Sequence, residues 1–507
     1  MPVKRPMAAS PVVPVRHEGW IVALLCALAA LRVFLLSAAF PFFNNVDEQA
    51  HFDLVCKYAR GHVPTGIERL DSLAVRDMLL YGSQEYLVPA ERFPDGLFPP
   101  PVWSLPFDRI RSSFESRVSR GMMDLNREST QPPLYYAAAG LWQRLGRTIG
   151  LRGGQALYWI RFMNVIVCAL LVWLAHLYAR ALFPGRRFLR LGLPLVVAFI
   201  PQDAFCSVNN DVLLPLVGGA ALLALLVLAR GDARGYAFHA GAGLLVAATM
   251  LVKLSSVPIV CIAAVTVLMI VRRAGAGERR AAAGRSAVLL LGASAPLALW
   301  GARNVMLLGD VTGSVAKARL LGWSPRPMGA LFDHPLFTPG GVATFWQETM
   351  TSLWRGEFTW GFERIASSGW DTFYGISSLV LPAAAVAALV LRGRTARGEE
   401  RVAQWLGLAM FLLSLLFLAG ISVAFDFGGC YYPSQAHPFL TSGRLALAAL
   451  LPFLALYLSG LEALLPGPRI GAFRWALLIA VVAAMTASEI GLSRAAFHSA
   501  YNWFHLS

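Results

Sequence analysis

The stretch Pro132-Pro133-Leu134-Tyr135-Tyr136-Ala137-Ala138-Ala139-Gly140-Leu141-Trp142-Gln143-Arg144-Leu145-Gly146 decides how the chain is threaded. It stays apolar for about 10–12 residues before Gln143 and Arg144, whereas a bilayer crossing takes roughly 20. That length suits an interfacial or re-entrant helix, so the segment reads as one that does not cross. Every later loop follows from this reading. With no crossing here, Arg180/Arg186/Arg187/Arg190, Arg230/Arg234, Arg272/Arg273/Arg279/Arg280/Arg285, Arg392/Arg394/Arg397/Arg401 and Arg469/Arg474 all share a side with the N-terminal Lys4, Arg5 and Arg16. A crossing would turn all five clusters outward, against the excess of Lys and Arg in cytoplasmic loops.

Composition agrees. Five hundred and seven residues would allow ~3 soluble domains. Yet 57% of the chain is drawn from AVILMFWYC and only 14% is charged, against roughly 25% charged in soluble proteins. Mean hydropathy is +0.57. Soluble domains, disorder, coiled coil and a disulfide scaffold are excluded together. The 44 Lys and Arg exceed the 29 Asp and Glu by 15. Because that excess collects in loops on one side, it speaks for membrane topology and against a nucleic-acid partner. Cys26, Cys56, Cys168, Cys206, Cys261 and Cys430 show no CxxC or Cys/His spacing, which argues against zinc. Pairing among Cys56, Cys206 and Cys430 stays open.

The expected fold class is an all-α polytopic membrane protein of about eleven spans. Residues 1–18 form the cytoplasmic N-terminus, 19–40 the first span, and 41–156 a large periplasmic loop bearing interfacial helices. A transmembrane core follows over 157–306, with spans at 157–179, 189–203, 211–229, 236–252, 255–271 and 286–306. Residues 307–372 form a second periplasmic loop. The spans 373–391, 402–424, 445–461 and 475–493 make up the C-terminal transmembrane part, 373–493, and 494–507 is a periplasmic tail. Trp323, Trp346, Trp354, Trp360 and Trp370 in the second loop suit a membrane-interface cover and equally a plain packed loop.

Directly outside the first span stands Asn44-Asn45-Val46-Asp47-Glu48-Gln49-Ala50-His51-Phe52. On a helix starting near Val46, Asp47 and His51 share a face at i, i+4. A carboxylate there could act as general base on an acceptor hydroxyl or amine, or merely cap the helix and offset its dipole. Asn209-Asn210-Asp211 comes to the same membrane face. With Asp47 and Glu48, Asp211 could hold a divalent cation, Mg or Mn, through oxygens, or could simply cap the next span. Arg32, Arg161, Lys253, Arg303 and Arg444 sit in the outer halves of spans. Ionisable groups there are costly and often functional; the choice is between clamping a lipid-linked phosphate and snorkelling to headgroups. Lys57 is a further candidate, or else pairs with Asp53 at i, i+4.

In this order these residues resemble the GT-C superfamily of membrane glycosyltransferases, which use polyprenyl-phosphate sugars. Asp47-Glu48-x-x-His51-Phe52 is similar to the first-loop motif of protein O-mannosyltransferases and of the lipid A aminoarabinose transferase. Gln131-Pro132-Pro133-Leu134-Tyr135-Tyr136 resembles their interfacial PPLYY segment, and Arg161-Phe162-Met163-Asn164 their second span. The bacterial family called domain of unknown function 2142 is more similar still. Its pattern also has N-x-D, a lysine near Lys253, a W-G segment like Ser352–Gly361 and a late GRY element, here Ser442-Gly443-Arg444-Leu445 with Leu445 for Tyr. Asn45-Val46 stands where that pattern has Pro before the acidic pair.

The resemblance implies a GT-C-like fold and an enzyme of the bacterial inner membrane, N-terminus cytoplasmic and C-terminus periplasmic. It would move a sugar, with inversion, from a polyprenyl-phosphate donor to a lipid, glycan or protein acceptor. Asp47 would be the catalytic base and Glu48 its support or a metal ligand. His51, Lys57, Arg161, Lys253, Arg303 and Arg444 would serve the donor phosphate, and Asp211 would match the second-loop acid. Two alternatives stand beside it: a flippase or transporter of a lipid-linked glycan, and a surface-polysaccharide polymerase or ligase. A transporter would place ionisable groups near the midplane and show repeated halves; here the polar groups gather toward one face.

Overall fold

A computed structural model describes residues 16–43, 47–231, 234–391 and 398–506. The readings placed on Lys4, Arg5, Asn44, Asn45, Val46, Arg392, Arg394 and Arg397 lie outside the described residues.

Among the described residues, nine helices are long and apolar enough to cross a membrane: Glu18–Ala39, Gly153–Leu182, Asn210–Ala229, Leu254–Arg273, Arg279–Leu308, Ser368–Leu391, Glu400–Ala424, Gly443–Leu464 and Gly471–His505. The chain is a multi-pass, all-α membrane protein. Two of the eleven expected spans are shorter. Tyr236–Val252 is apolar and has 17 residues; Arg187–Phe199 has 13. The latter covers about 20 Å at 1.5 Å per residue, less than the ~30 Å hydrocarbon core. It stops because Pro201 disfavours helical backbone at the residue before it, and Ile200 is extended at φ −63°, ψ 124°. Two 3-10 turns, Asp203–Cys206 and Asn210–Val212, then bring acidic residues across the bundle end.

Burial separates outer helices from the central one. Arg279–Leu308 is largely uncovered by protein, with Leu299 and Met306 exposed, as a lipid-facing helix must be. Gly443–Leu464 lies at the opposite extreme: every residue from Leu450 to Leu461 is buried. Its first turn therefore opens in the middle of the bundle end, which is where Arg444 sits. Gly443 makes that position accessible, because a Cβ there would come within 2.2 Å of the Leu353 backbone nitrogen.

Pro132–Gly146 forms a 15-residue helix, Leu134–Thr148, packed against Glu48–Ala59 and Gly153–Leu182. Trp142 and Trp159 stack at 4.3 Å, and each indole N–H donates to the other's carbonyl, at 2.7 and 2.8 Å. Gly146 leaves room for this, since a Cβ would meet the Trp159 ring at 2.3 Å. The same bundle end carries helices Ser72–Tyr81, Phe107–Gly121 and Pro339–Arg355, with strand Ser324–Pro325 antiparallel to Phe425–Asp426. The five tryptophans of the 307–372 loop are packed rather than presented outward: Trp354 is buried and donates to Ser378 Oγ at 2.8 Å, and Trp346 donates to the Gly375 carbonyl at 2.9 Å. All six cysteines are free thiols.

Candidate active site

Asp47 directly precedes the helix Glu48–Ala59 and has left-handed backbone, φ 69°. That conformation costs an ordinary residue about 1–2 kcal/mol. Its side chain makes no hydrogen bond to the helix it precedes, so capping does not explain it. Instead one carboxylate oxygen pairs with Arg127 and the other lies 3.6 Å from Arg444. In the second acidic turn the capping is done by Asn209, which accepts from the Val212 N–H at 3.2 Å. Asp211 is thereby released for the bundle end. It is bonded by Lys253 at 2.5 Å and by Arg444 at 3.1 Å.

Arg444 is the centre of the arrangement. Its guanidinium faces Asp47 and Asp211 and lies 4.0 Å from Glu357. Glu357 is fixed by Ser352 Oγ at 2.9 Å, while its N–H donates to Asp203 at 2.9 Å. Ser352 Oγ also accepts from the Gly443 N–H at 2.9 Å, so the turn that presents Arg444 and the acid facing it share one anchor. On the other side Lys253 donates to Asn210 at 3.2 Å. Asn210 donates to Gln131 at 3.4 Å, Gln131 to Glu128 at 2.6 Å, and Lys317 to Glu128 at 2.5 Å. Four cations, Arg127, Lys253, Lys317 and Arg444, thus interleave with four acids, Asp47, Glu128, Asp211 and Glu357.

Exposure divides the cluster into floor and mouth. Asp211 is sealed, and Arg444 and Lys253 are 12% and 11% exposed. Asp47 is 16% exposed, Lys317 27% and Arg127 46%. Burial and the nearby Glu128 push the Asp47 carboxyl up, but Arg127, Arg444 and Lys317 outweigh them and hold it below its ordinary value of 3.8. Burial likewise opposes ionisation of Glu128, and Lys317, with Lys253 behind it, reverses that, leaving the carboxyl far below the usual range. Both are anions at neutral pH.

The other expected residues have different surroundings. Glu48 turns away from Asp47 and takes a fork from Arg161 at 2.8 and 2.7 Å, and also accepts from the Val208 N–H at 2.8 Å. Arg161 is fully buried and bonds the carbonyls of Ser37, Phe40 and Pro41 as well. Lys57 pairs with Asp53 at 3.0 Å and Glu68 at 3.3 Å. Arg303 donates to the Pro64 carbonyl and stacks over Trp300 at 4.8 Å. His51 is buried, 2.7 Å from the Tyr136 hydroxyl, and burial lowers its pKa to about 4, so it is neutral. Arg32, the remaining cation singled out within a span, is engaged by Glu489.

The three acids expected to ligate a cation do not form a ligand set. Glu48 is committed to Arg161, and Asp211 to Lys253 and Arg444. Among the described residues no group of three or more His, Cys, Asp and Glu could hold a metal ion.

Arg127, Glu128, Lys317 and Glu357 were not singled out by sequence. One signal for Lys317 was present: the chain has only four lysines, Lys4, Lys57, Lys253 and Lys317. Arginine serves the loops elsewhere, so lysines at 253 and 317 stand apart.

Among solved structures, the chain is similar to the Archaeoglobus fulgidus oligosaccharyltransferase in its apo form. Identity is 12%, coverage 96% of this chain and 57% of that one, and the TM-score 0.47. It is also similar to ArnT from Cupriavidus metallidurans bound to undecaprenyl phosphate, at 14% identity, 88% and 78% coverage and a TM-score of 0.32. The chain spans little more than half the length of the oligosaccharyltransferase. No curated protein matches it. The family model described as Predicted membrane protein (DUF2142) matches residues 31–428, most of the chain, and the chain belongs to that family.

Proposed function

We propose that this protein is a GT-C-type glycosyltransferase of the bacterial inner membrane that takes its sugar from a polyprenyl-phosphate donor at the periplasmic face. Asp47 accepts the proton of an acceptor hydroxyl or amine. The freed lone pair attacks the anomeric carbon, and the bond from that carbon to the phosphate oxygen breaks on the opposite face, inverting the centre. The bonding electrons leave with the polyprenyl phosphate. Arg444 and Lys253 at the floor, with Arg127 and Lys317 at the mouth, stabilise the charge that develops on that oxygen. In this reading Glu48 positions Asp47 by fixing the helix start against Arg161, and Arg303, Lys57 and His51 support the surrounding fold.

One observation carries the reading. Arg444 bonds Asp211 at 3.1 Å and lies 3.6 Å from Asp47, whose side chain is 16% exposed, at the first turn of the most buried of the spanning helices. A cation held between two acids at a bundle end suits phosphate displacement more than ion or glycan passage, which needs polar groups near the midplane. The N-in, C-out orientation and the domain limits expected from the Arg clusters belong to the same proposal.

The test is turnover in reconstituted vesicles, with a radiolabelled polyprenyl-phosphate hexose and crude envelope acceptors. Wild type should release polyprenyl phosphate and label an acceptor, while Asp47→Asn should slow this ~10²–10⁴-fold. Equal turnover by Asp47→Asn would refute the base assignment. Movement of intact labelled lipid across the vesicle, without bond cleavage, would favour a transporter.

A further inference from the structure

Between Arg326 and Pro339 the chain makes an elbow, Pro327-Met328-Gly329-Ala330-Leu331-Phe332-Asp333-His334-Pro335-Leu336-Phe337-Thr338, built on two 3-10 turns, Met328–Ala330 and Pro335–Phe337. It is tied at two points to the last turn of one span, Glu400–Ala424, directly at Arg326 and through Pro438–Leu440 at His334. At the near end the Arg326 N–H donates to the Ala424 carbonyl at 2.8 Å, and its Nε to the Phe425 carbonyl at 3.1 Å. At the far end His334 is buried, 3.0 Å from the Pro438 carbonyl and edge-on to Phe439 at 5.7 Å. The next residue, Leu440, donates its N–H to Ser422 Oγ at 2.8 Å, within that same last turn.

Between and just beyond these two points the elbow is apolar and uncovered. Met328 is 83% exposed, Phe332 80% and Phe337 55%, and the two phenylalanine rings face one another at 5.6 Å. Asp333 is the sole carboxylate of the stretch. Met328 lies two residues beyond Arg326 and Phe332 two before His334, so each is within ~7 Å of a residue fixed at the span's end. At the end of a span lies the boundary between headgroups and acyl chains, into which amphipathic segments bury their apolar side by ~5–10 Å. On the same span Leu412 and Leu416 are exposed and share the i, i+4 stripe that runs on to Ala424, whose carbonyl holds Arg326. Apolar patches of this kind on a folded protein mark an interaction surface, and the neighbour available at that level is lipid.

We propose that Met328, Phe332 and Phe337 insert into the outer headgroup–acyl boundary and anchor the elbow in the membrane. The anchor is distinct from the loop's tryptophans, of which Trp354 is buried and the other four are half-buried. It also bears on the bundle end. The helix Pro339–Arg355 that follows carries Glu348, which holds His437 at 2.9 Å and Thr441 at 2.8 Å, a few residues before Arg444.

Phe332→Cys and Met328→Cys, each labelled with the dye NBD, test this in phosphatidylcholine nanodiscs. The signal of identically treated wild type, whose Cys261 is exposed, is subtracted. Both labels should emit at shorter wavelength than in water. They should be quenched by lipid carrying a nitroxide near its carbonyls, and be nearly indifferent to aqueous iodide. Full quenching by iodide with none by the nitroxide lipid would place the elbow in water and overturn the proposal. Protection from both quenchers would also overturn it, by showing that protein, a second copy included, covers the patch.

Discussion

Arg444 and Asp211, 233 positions apart in the chain, meet at 3.1 Å in a buried contact at the head of the central helix. Removing one partner of such a pair leaves the other charged and desolvated, which costs about 3–5 kcal/mol. Arg444→Ala should therefore lower the thermal midpoint in detergent markedly and abolish turnover. Arg444→Lys keeps the charge but not the fork that spans two acids. It should recover much of the stability and little of the activity, a split read by thermal unfolding beside turnover.

Asp47 owes its lowered pKa to cations, against burial and Glu128. If the ionised form is the active one, activity falls as pH drops through the folded value, below 3.8 in wild type. Arg127→Gln removes one of these cations and should move the acid limb of the rate profile upward. Stability has the same sign: a depressed carboxyl contributes above its unfolded pKa and loses that contribution as pH falls. An unmoved acid limb in Arg127→Gln would separate Asp47 from catalysis.

Glu48 and Arg161 have the geometry of a structural pair, both fully buried with two bonds at 2.8 and 2.7 Å. Glu48→Gln alone should destabilise by about 3–5 kcal/mol, because a buried guanidinium is left unpaired. The double variant Glu48→Gln/Arg161→Met should regain most of that loss. Turnover per folded molecule should change far less in the double variant than in Asp47→Asn. Thermal unfolding paired with turnover measures both.

His51 supplies an acid sensitivity of its own. Burial lowers its pKa from 6.5 to about 4, so the unfolded chain binds a proton that the folded one refuses. Stability from this group is complete above 6.5 and is lost as pH falls toward 4. Between pH 7.5 and 5 the loss is about 2 kcal/mol. Thermal midpoints at these two pH values should differ less in His51→Gln than in wild type, even though Gln weakens the bond to Tyr136.

The helices were legible because they rest on a local quantity, the length of each apolar run. The short helix at 134–148 and the turns that carry Asp47 and Asp211 came from these. Side-chain partnerships were not legible. Whether Glu48 joins Asp47 or Arg161 depends on how helix Gly153–Leu182 crosses the first span, and nothing near residue 48 encodes that. Glu128 and Lys317 likewise meet from 189 positions apart. The same holds for Arg127: it reaches Asp47 only because Asn126, next to it, anchors its loop to Ala50 and Asp53 at 2.9 and 2.7 Å. Span ends were misjudged where proline intervened, as at Pro201.

The most direct test of the account is native mass spectrometry of detergent-purified protein with undecaprenyl phosphate added, on wild type, Asp47→Asn and Arg444→Ala. The account predicts a retained lipid mass on wild type, the same on Asp47→Asn, and at least a tenfold weaker adduct on a folded Arg444→Ala. Failure of wild type to bind the lipid, or equal binding by all three, would contradict a donor phosphate held at Arg444.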